Sequence, residues 1–305
     1  PKFYPTVFVL VTDVLEDFGE KVYKRLLKKC NDTLDSATPL SAAFVHSDVP
    51  FNAREITRNW FYKIACIREL IPRLYVEMSI LKCYRFLVNS KEYAEILSRM
   101  ASIMRGIGDP LIAAYARCYL FYIGSDLLSR NEYSPAPAFM LSAIQDACTM
   151  QSKQRSEAKQ IQLEQNMDPA SSAHTQIVTM AQYSKLLSPA IQWTLRCIAL
   201  SATKDIFQYT VRAYSQRCGS ALVLKHIIES FDGALYSYGA LGLATLCQEA
   251  YTHETSVGLL QLYSSMGQKL TLHAPPIETK MELLNTIWKS TLMFVTKFMG
   301  FPVSV

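Results

Sequence analysis

The sequence predicts an all-α protein, and three observations support this fold class. The chain has 305 residues and half of them are hydrophobic, so it can bury a large core. Its apolar residues recur at intervals of three and four rather than in alternation, which is typical of helices and not of strands. Glycine occurs only 11 times. About a dozen helices joined mostly by short turns favour a HEAT-like α-solenoid of antiparallel helix pairs.

The first predicted helix spans Thr6 to Cys30. A basic cluster at positions 24–29 predicts a solvated face of this helix. Its apolar stripe, which we expect to face the core, consists of Val7, Leu10, Val14, Phe18, Val22 and Leu26.

A second helix is predicted from Ala53 to Ile71, and a third from Arg73 to Leu87. Pro72 separates them, because proline cannot donate a backbone hydrogen bond and must kink or restart the helix. The buried face of the second helix is predicted to contain Trp60, Ile64, Ile67 and Ile71.

A helix end and a helix start follow closely between positions 90 and 110. Ser90 is the expected N-cap of a helix that ends near Arg105, and Gly106 suits a left-handed closing position. Asp109 and Pro110 then open the next helix as cap and first helical residue. This arrangement is typical of a helical hairpin in a repeat.

The helix from Leu111 to Ile123 carries one charged residue, Arg117, among side chains that are apolar on most faces. Such a helix is expected to be enclosed by its neighbours. An unpaired buried charge is costly, so Arg117 is predicted to pair with a carboxylate or with helix-end carbonyls, in a structural role.

Composition divides the chain into three predicted regions. Residues 1–150 form an N-terminal solenoid segment, residues 151–187 a mobile polar insertion, and residues 188–305 continuing helical repeats. Ser188 and Pro189 are the expected start signal where packed helices resume.

No sequence pattern indicates catalysis, a metal or a cofactor. The chain lacks the serine elbow, zinc-protease and phosphate-loop motifs, and its five histidines are far apart. Eight cysteines occur without a Cys-x-x-Cys pair, as expected for buried reduced thiols. The formal net charge of +5 is scattered, which disfavours nucleic acid as a partner. No uncharged apolar run is long enough to span a bilayer.

The segment Pro72-Arg73-Leu74-Tyr75-Val76 is the remaining candidate site. Its residues alone favour a proline kink with two core side chains. The alternative is a docking surface in which Arg73 binds a partner's carboxylate or carbonyls while Leu74 and Tyr75 supply apolar anchors.

This segment resembles the Pro-Arg-Leu-Tyr motif of the retromer large subunit, and it is more similar to the paralogous vacuolar protein sorting 35-like family. That family provides the scaffold of the retriever (Commander) complex. Val76 stands where the retromer motif has leucine. Further resemblance lies in Phe3 to Pro5, Phe8 to Asp13, Ile67 to Ile71, Met104 to Leu111, Tyr115 to Arg117, Pro189 to Trp193, and Pro275-Pro276.

The resemblance implies a non-catalytic solenoid that is cytoplasmic and peripheral on endosomes, where it recycles membrane cargo. It implies that Pro72, Arg73, Leu74, Tyr75 and Val76 dock an arrestin-fold subunit of the vacuolar protein sorting 26 type. A metallophosphoesterase-fold subunit is expected to dock on a C-terminal part not present here. COMM-domain proteins and a sorting-nexin adaptor are further implied partners. Two alternatives stay open: another HEAT-repeat adaptor (retromer itself, or a nuclear-transport or coat-type scaffold), and a helical enzyme.

Overall fold

The structure is a computed structural model that describes residues 4–34, 40–41, 44–130, 180–200, 202–217, 221–238, 262, 264–269, 272 and 277–299. These residues contain no strand, so the predicted all-α class is confirmed, and the packed helices are consistent with a solenoid. The α-helices are α1 (Tyr4–Thr33), α2 (Phe51–Ala65), α3 (Leu70–Ser79), α4 (Ser90–Met104), α5 (Pro110–Arg130), α6 (Met180–Ala199), α7 (Lys204–Arg217), α8 (Ala221–Ser230) and α9 (Ile277–Met299). Short 3-10 helices span His46–Asp48, Leu81–Phe86 and Gly233–Tyr238.

The chain divides into two compact units, residues 1–139 and 140–305. Residues 151–179 of the expected polar insertion lie outside the described residues. Residues 180–187 form the beginning of helix α6.

In the first unit, α1 packs against α2, α3 and the 3-10 helix Leu81–Phe86, and α5 packs against α3 and α4. One core cluster joins α1, α2 and this 3-10 helix. It consists of Val22, Tyr23, Leu26, Cys30, Phe44, Val49, Ala53, Ile64, Ile80, Cys83 and Phe86.

Helix α1 buries a different stripe from the predicted one in its N-terminal half. Val7, Leu10 and Val14 are exposed, whereas Phe8 and Thr12 are buried. Apolar residues fill every position from 7 to 11, so the apolar pattern does not fix which side of the helix faces inward. Farther along, Val22 and Leu26 are buried as predicted, Phe18 is partly buried, and Gly19, Tyr23 and Cys30 are also buried.

Helix α2 ends at Ala65, six residues earlier than predicted, and α3 begins at Leu70. Pro72 therefore lies in the first turn of α3, where backbone N–H groups have no helical acceptor and a missing donor costs nothing. The helix break occurs at residues 66–69 rather than at the proline. Ile64 is buried as predicted, while Trp60 is half-buried and contacts Phe18 edge-on at a ring distance of 6.2 Å.

The junction between α4 and α5 confirms one cap and corrects two. Asp109 caps α5 by accepting hydrogen bonds from the N–H groups of positions 111 and 112, with Pro110 as the first helical residue. Helix α4 is capped by Asn89 rather than by Ser90, because the Asn89 side chain and Glu92 form a reciprocal capping box. Gly106 does not adopt the predicted left-handed conformation. Exposed Arg105, a predicted structural residue, is the C-cap residue of α4 in right-handed helical conformation.

Helix α5 is enclosed as predicted, because every residue from 113 to 121 is buried. Arg117 lies within this stretch and is only 7% exposed. Its carboxylate or carbonyl partner stays a prediction.

In the second unit, α6 packs against α8, and α7 packs against the 3-10 helix Gly233–Tyr238. Helix α6 begins at Met180 and continues through Pro189. The expected helix start at Ser188-Pro189 is therefore wrong. Packing of the apolar residues on both sides of the proline, among them Leu187, Ala190 and Ile191, outweighs the loss of one helical hydrogen bond.

Candidate partner-binding site

The candidate segment Pro72–Val76 occupies the first two turns of α3. Glu69 is the N-cap residue, and its carbonyl accepts the first helical hydrogen bond from the Arg73 N–H at 3.1 Å. Because successive helical residues point in directions about 100° apart, the five side chains of the segment cannot share one face. The segment therefore divides into residues that face the core and residues that face solvent.

Leu74 and Tyr75 face the interior of the first unit. Leu74 is 1% exposed and Tyr75 is 9% exposed. The Tyr75 ring stacks on Tyr119 of α5 at 5.7 Å and meets Phe8 of α1 edge-on at 6.5 Å. Burial raises the pKa of the Tyr75 hydroxyl far above its usual range. Tyr75 thus joins α1, α3 and α5, and neither side chain is accessible as an anchor for a partner.

Pro72 is exposed, and Arg73 and Val76 are half-buried. Val76 packs on the core cluster of the first unit. The guanidinium of Arg73 has no hydrogen-bond or ion-pair partner within the part of the chain that the structure describes. Pro72 and Arg73 are therefore the members of the segment that can reach another molecule most readily.

Arg73 lines a cavity of about 370 Å³. Three helices and one 3-10 helix supply its walls, and the exposed ring of Tyr62 stands at its side. The residues that line the cavity are Phe61, Tyr62 and Ala65 from α2, Arg73 and Glu77 from α3, Tyr84 from the 3-10 helix, and Arg99 from α4.

A polar network fixes one side of this cavity. Glu77 accepts hydrogen bonds from Arg99 at 2.6 Å and from the Tyr84 hydroxyl at 3.0 Å. The Tyr84 ring stacks on Phe61 with ring centres 3.8 Å apart. Burial, with the nearby Glu77 carboxylate, raises the pKa of Tyr84, which keeps its hydroxyl protonated as a donor.

The cavity therefore contains one ion pair, between Arg99 and Glu77, and one cation, Arg73, that has no ion-pair partner among the described residues. Arg99 and Glu77 neutralise each other, which leaves the positive charge of Arg73 to set the preference of the site. A planar guanidinium beside aromatic rings suits a carboxylate or a pair of backbone carbonyls on an approaching surface.

Sequence reasoning identified Arg73 but not the other walls of the cavity. Glu77 and Arg99 are 22 positions apart, and Tyr84 reaches the carboxylate from a separate 3-10 helix. No spacing rule links residues that meet only after three elements pack. The exposed ring of Tyr62, beside a predicted core residue at position 60, is the one local signal for this site.

A second polar constellation lies in the second unit. The Oγ of Ser188 on α6 and the Nε2 of His226 on α8 are 2.8 Å apart and share a hydrogen bond. The other ring nitrogen of His226 lies 3.7 Å from a Glu229 oxygen, too far for a hydrogen bond. Burial lowers the pKa of His226, and Glu229 only partly opposes this effect. The neutral imidazole and the serine thus tie two helices together.

The described residues contain no group of three or more side chains placed to hold a metal ion. None of the described helices combines the length and the apolar character needed to cross a membrane.

Comparison with known proteins gives the family. Residues 1–175 match the VPS35L family model, and residues 202–299 match the model of the VPS35L C-terminal domain. The chain therefore belongs to the VPS35L family.

Similar proteins come from distant organisms. The VPS35 endosomal protein sorting factor-like protein of Dictyostelium discoideum is 34% identical over 297 residues, which is 96% of this chain. The proteins of the same name from Danio rerio and Homo sapiens are 34% and 32% identical over 94% of the chain. In each case the chain spans 28% of the relative's own length.

Proposed function

We propose that this chain is a non-catalytic scaffold segment for endosomal protein sorting, and that Arg73 is the centre of its docking site for an arrestin-fold subunit of the vacuolar protein sorting 26 type. Membership of the VPS35L family supports the sorting role, since its relatives carry that function in their names. The partner and the site come from the resemblance of Pro72–Val76 to the retromer and retriever motif.

The observation that supports the docking site is the environment of the Arg73 guanidinium. Its guanidinium lines a surface cavity with aromatic walls and has no partner among the described residues. The guanidinium donors of Arg73 are unpaired within the described part of the chain, and a partner's carboxylate or carbonyls would complete their hydrogen bonds. Pro72 next to it offers a rigid apolar contact.

Binding of the purified chain to an arrestin-fold subunit of this type tests the site. Arg73→Ala is expected to weaken binding at least about tenfold, since a hydrogen-bonded charge contributes about 1.5–3 kcal/mol. The control is Arg212→Ala, which removes an exposed arginine from α7 in the second unit. Full binding by Arg73→Ala, or equal loss in both variants, would reject the assignment.

The larger assembly is also proposed: a retriever (Commander) complex, peripheral on endosomes and active in cargo recycling. Its other members would be a metallophosphoesterase-fold subunit, COMM-domain proteins and a sorting-nexin adaptor. Native purification followed by mass spectrometry distinguishes this assembly from other scaffolds. Recovery of retromer, nuclear-transport or coat components in place of these subunits would assign the chain to a different complex.

A further inference from the structure

The outward side of helix α1 carries an uncovered apolar strip near its start. Four aliphatic side chains follow one another at the three- and four-residue spacing of a single helix face. The exposed fractions are 50% for Val7, 61% for Leu10, 45% for Val11 and 70% for Val14.

The second half of α1 carries a strip of positive charge. Lys21 pairs with Asp17, and Lys24 pairs with Glu20. The remaining members, Arg25, Lys28 and Lys29, are exposed and form no ion pair within the described part of the chain. Asp13 and Asp32 are the other exposed acidic residues of the helix, so cations predominate between positions 21 and 29.

The apolar and basic strips point in the same direction. Val7 and Arg25 are 18 positions apart, as are Leu10 and Lys28, and Val11 and Lys29. Eighteen residues make about five full turns of an α-helix, so each pair lies on one line along the helix, about 27 Å apart. Helix α1 thus presents one outer face that is aliphatic at one end and cationic at the other.

The opposite side of α1 holds this outer face in place. Phe8 packs against Tyr115 of α5 at a ring distance of 4.8 Å, and Leu26 and Cys30 are fully buried in the core cluster. The helix is therefore formed and oriented before it meets any partner, and binding incurs no ordering cost for it.

We propose that the outer face of α1 lies on an anionic lipid surface. The aliphatic strip enters the boundary between headgroups and acyl chains, and the unpaired cations contact the lipid phosphates and carboxylates. Charge complementarity favours this occupant, since three cations without an ion-pair partner among the described residues continue the apolar strip along the same helix face. The hot spots of protein–protein interfaces are enriched in tryptophan, tyrosine and arginine, whereas this strip contains only valine and leucine. The inference does not depend on the docking of Arg73.

Sedimentation of the purified chain with phosphatidylcholine vesicles, with and without about one third phosphatidylserine, tests the proposal. The chain is expected to bind the anionic vesicles, and the bound fraction is expected to fall at high salt because screening weakens the contact. The triple variant Arg25→Glu, Lys28→Glu, Lys29→Glu is expected to bind at least about tenfold more weakly.

Two further variants test whether vesicle binding depends on this face of α1 or only on the net charge of the chain. The triple variant Lys63→Glu, Arg68→Glu, Lys91→Glu makes the same change in net charge at exposed positions outside α1 and is expected to bind normally. The serine variant, Val7→Ser, Leu10→Ser, Val14→Ser, is expected to lose binding while keeping its circular dichroism, since these side chains are exposed.

Three results would overturn the proposal. They are failure of the unmodified chain to bind anionic vesicles, equal loss of binding in both charge-reversed variants, and undiminished binding of the serine variant.

Discussion

The two sides of helix α3 differ in what they can do. On one side, Leu74 and Tyr75 are buried against α1 and α5. On the other side, Pro72 is exposed and Arg73 lines the cavity. Four consecutive residues of one motif thus contain a structural pair and an accessible pair. A loss of binding after substitution therefore has two possible origins, and stability measurements distinguish them.

The largest expected effect lies on the inner side. Leu74→Ala removes a side chain that is 1% exposed. We expect the free energy of unfolding to fall by about 2–5 kcal/mol, from lost burial and the cavity left behind. Urea unfolding followed by circular dichroism measures it, and a change below that of Arg73→Ala would contradict the division of the two sides.

The end of α3 offers the second test. A Cβ atom built on Gly19 of α1 would lie 1.9 Å from the carbonyl oxygen of Ser79, the last residue of α3. Gly19→Ala is expected to destabilise the first unit by about 1–3 kcal/mol, despite the better helix propensity of alanine. Gly108→Ala is the control, since its Cβ would meet nothing within 4 Å. Equal thermal stability of both variants would contradict this close contact.

A smaller loss of stability is expected from the N-cap of α4, the helix that supplies Arg99 to the cavity. Asn89 accepts a hydrogen bond from the Glu92 N–H at 3.0 Å. Asn89→Ala is expected to cost about 1 kcal/mol of stability, whereas Asn89→Asp keeps the cap and should cost less. Denaturant unfolding of the two variants provides the comparison, and equal values would argue against the cap.

The smallest expected effect belongs to Arg73 itself. Arg73→Ala is expected to change the free energy of unfolding by less than about 0.5 kcal/mol, because the side chain has no ion-pair partner among the described residues. Calorimetric unfolding checks this value. A loss as large as that of Leu74→Ala would make Arg73 structural and would reverse its assignment to the outer side.

Local sequence signals predicted the features that depend on neighbouring residues. The cap at Asp109, the helix start at Pro110 and the enclosed helix around Arg117 all follow from short patterns, and the structure confirms them. The all-α class follows from the same periodicity. These features can be predicted without knowing the tertiary contacts between helices.

The remaining features required tertiary contacts. The buried side of α1 includes Gly19, whose close approach to Ser79 a sequence does not show. Pro72 and Pro189 are alike in sequence, yet one lies in a first turn and the other inside a helix. The cavity around Arg73 likewise combines side chains from α2, α3 and α4 that no spacing rule connects.

The contact between Gly19 and Ser79 also limits motion. Sliding α1 along α3 by one helical turn, about 5.4 Å, would bring Tyr23 or the residues near Leu15 against the Ser79 carbonyl. Neither side chain fits where a hydrogen atom now sits, so the two helices cannot ratchet past each other. The outer face of α1 and the Arg73 cavity on α3 are therefore held in one register along the two helices.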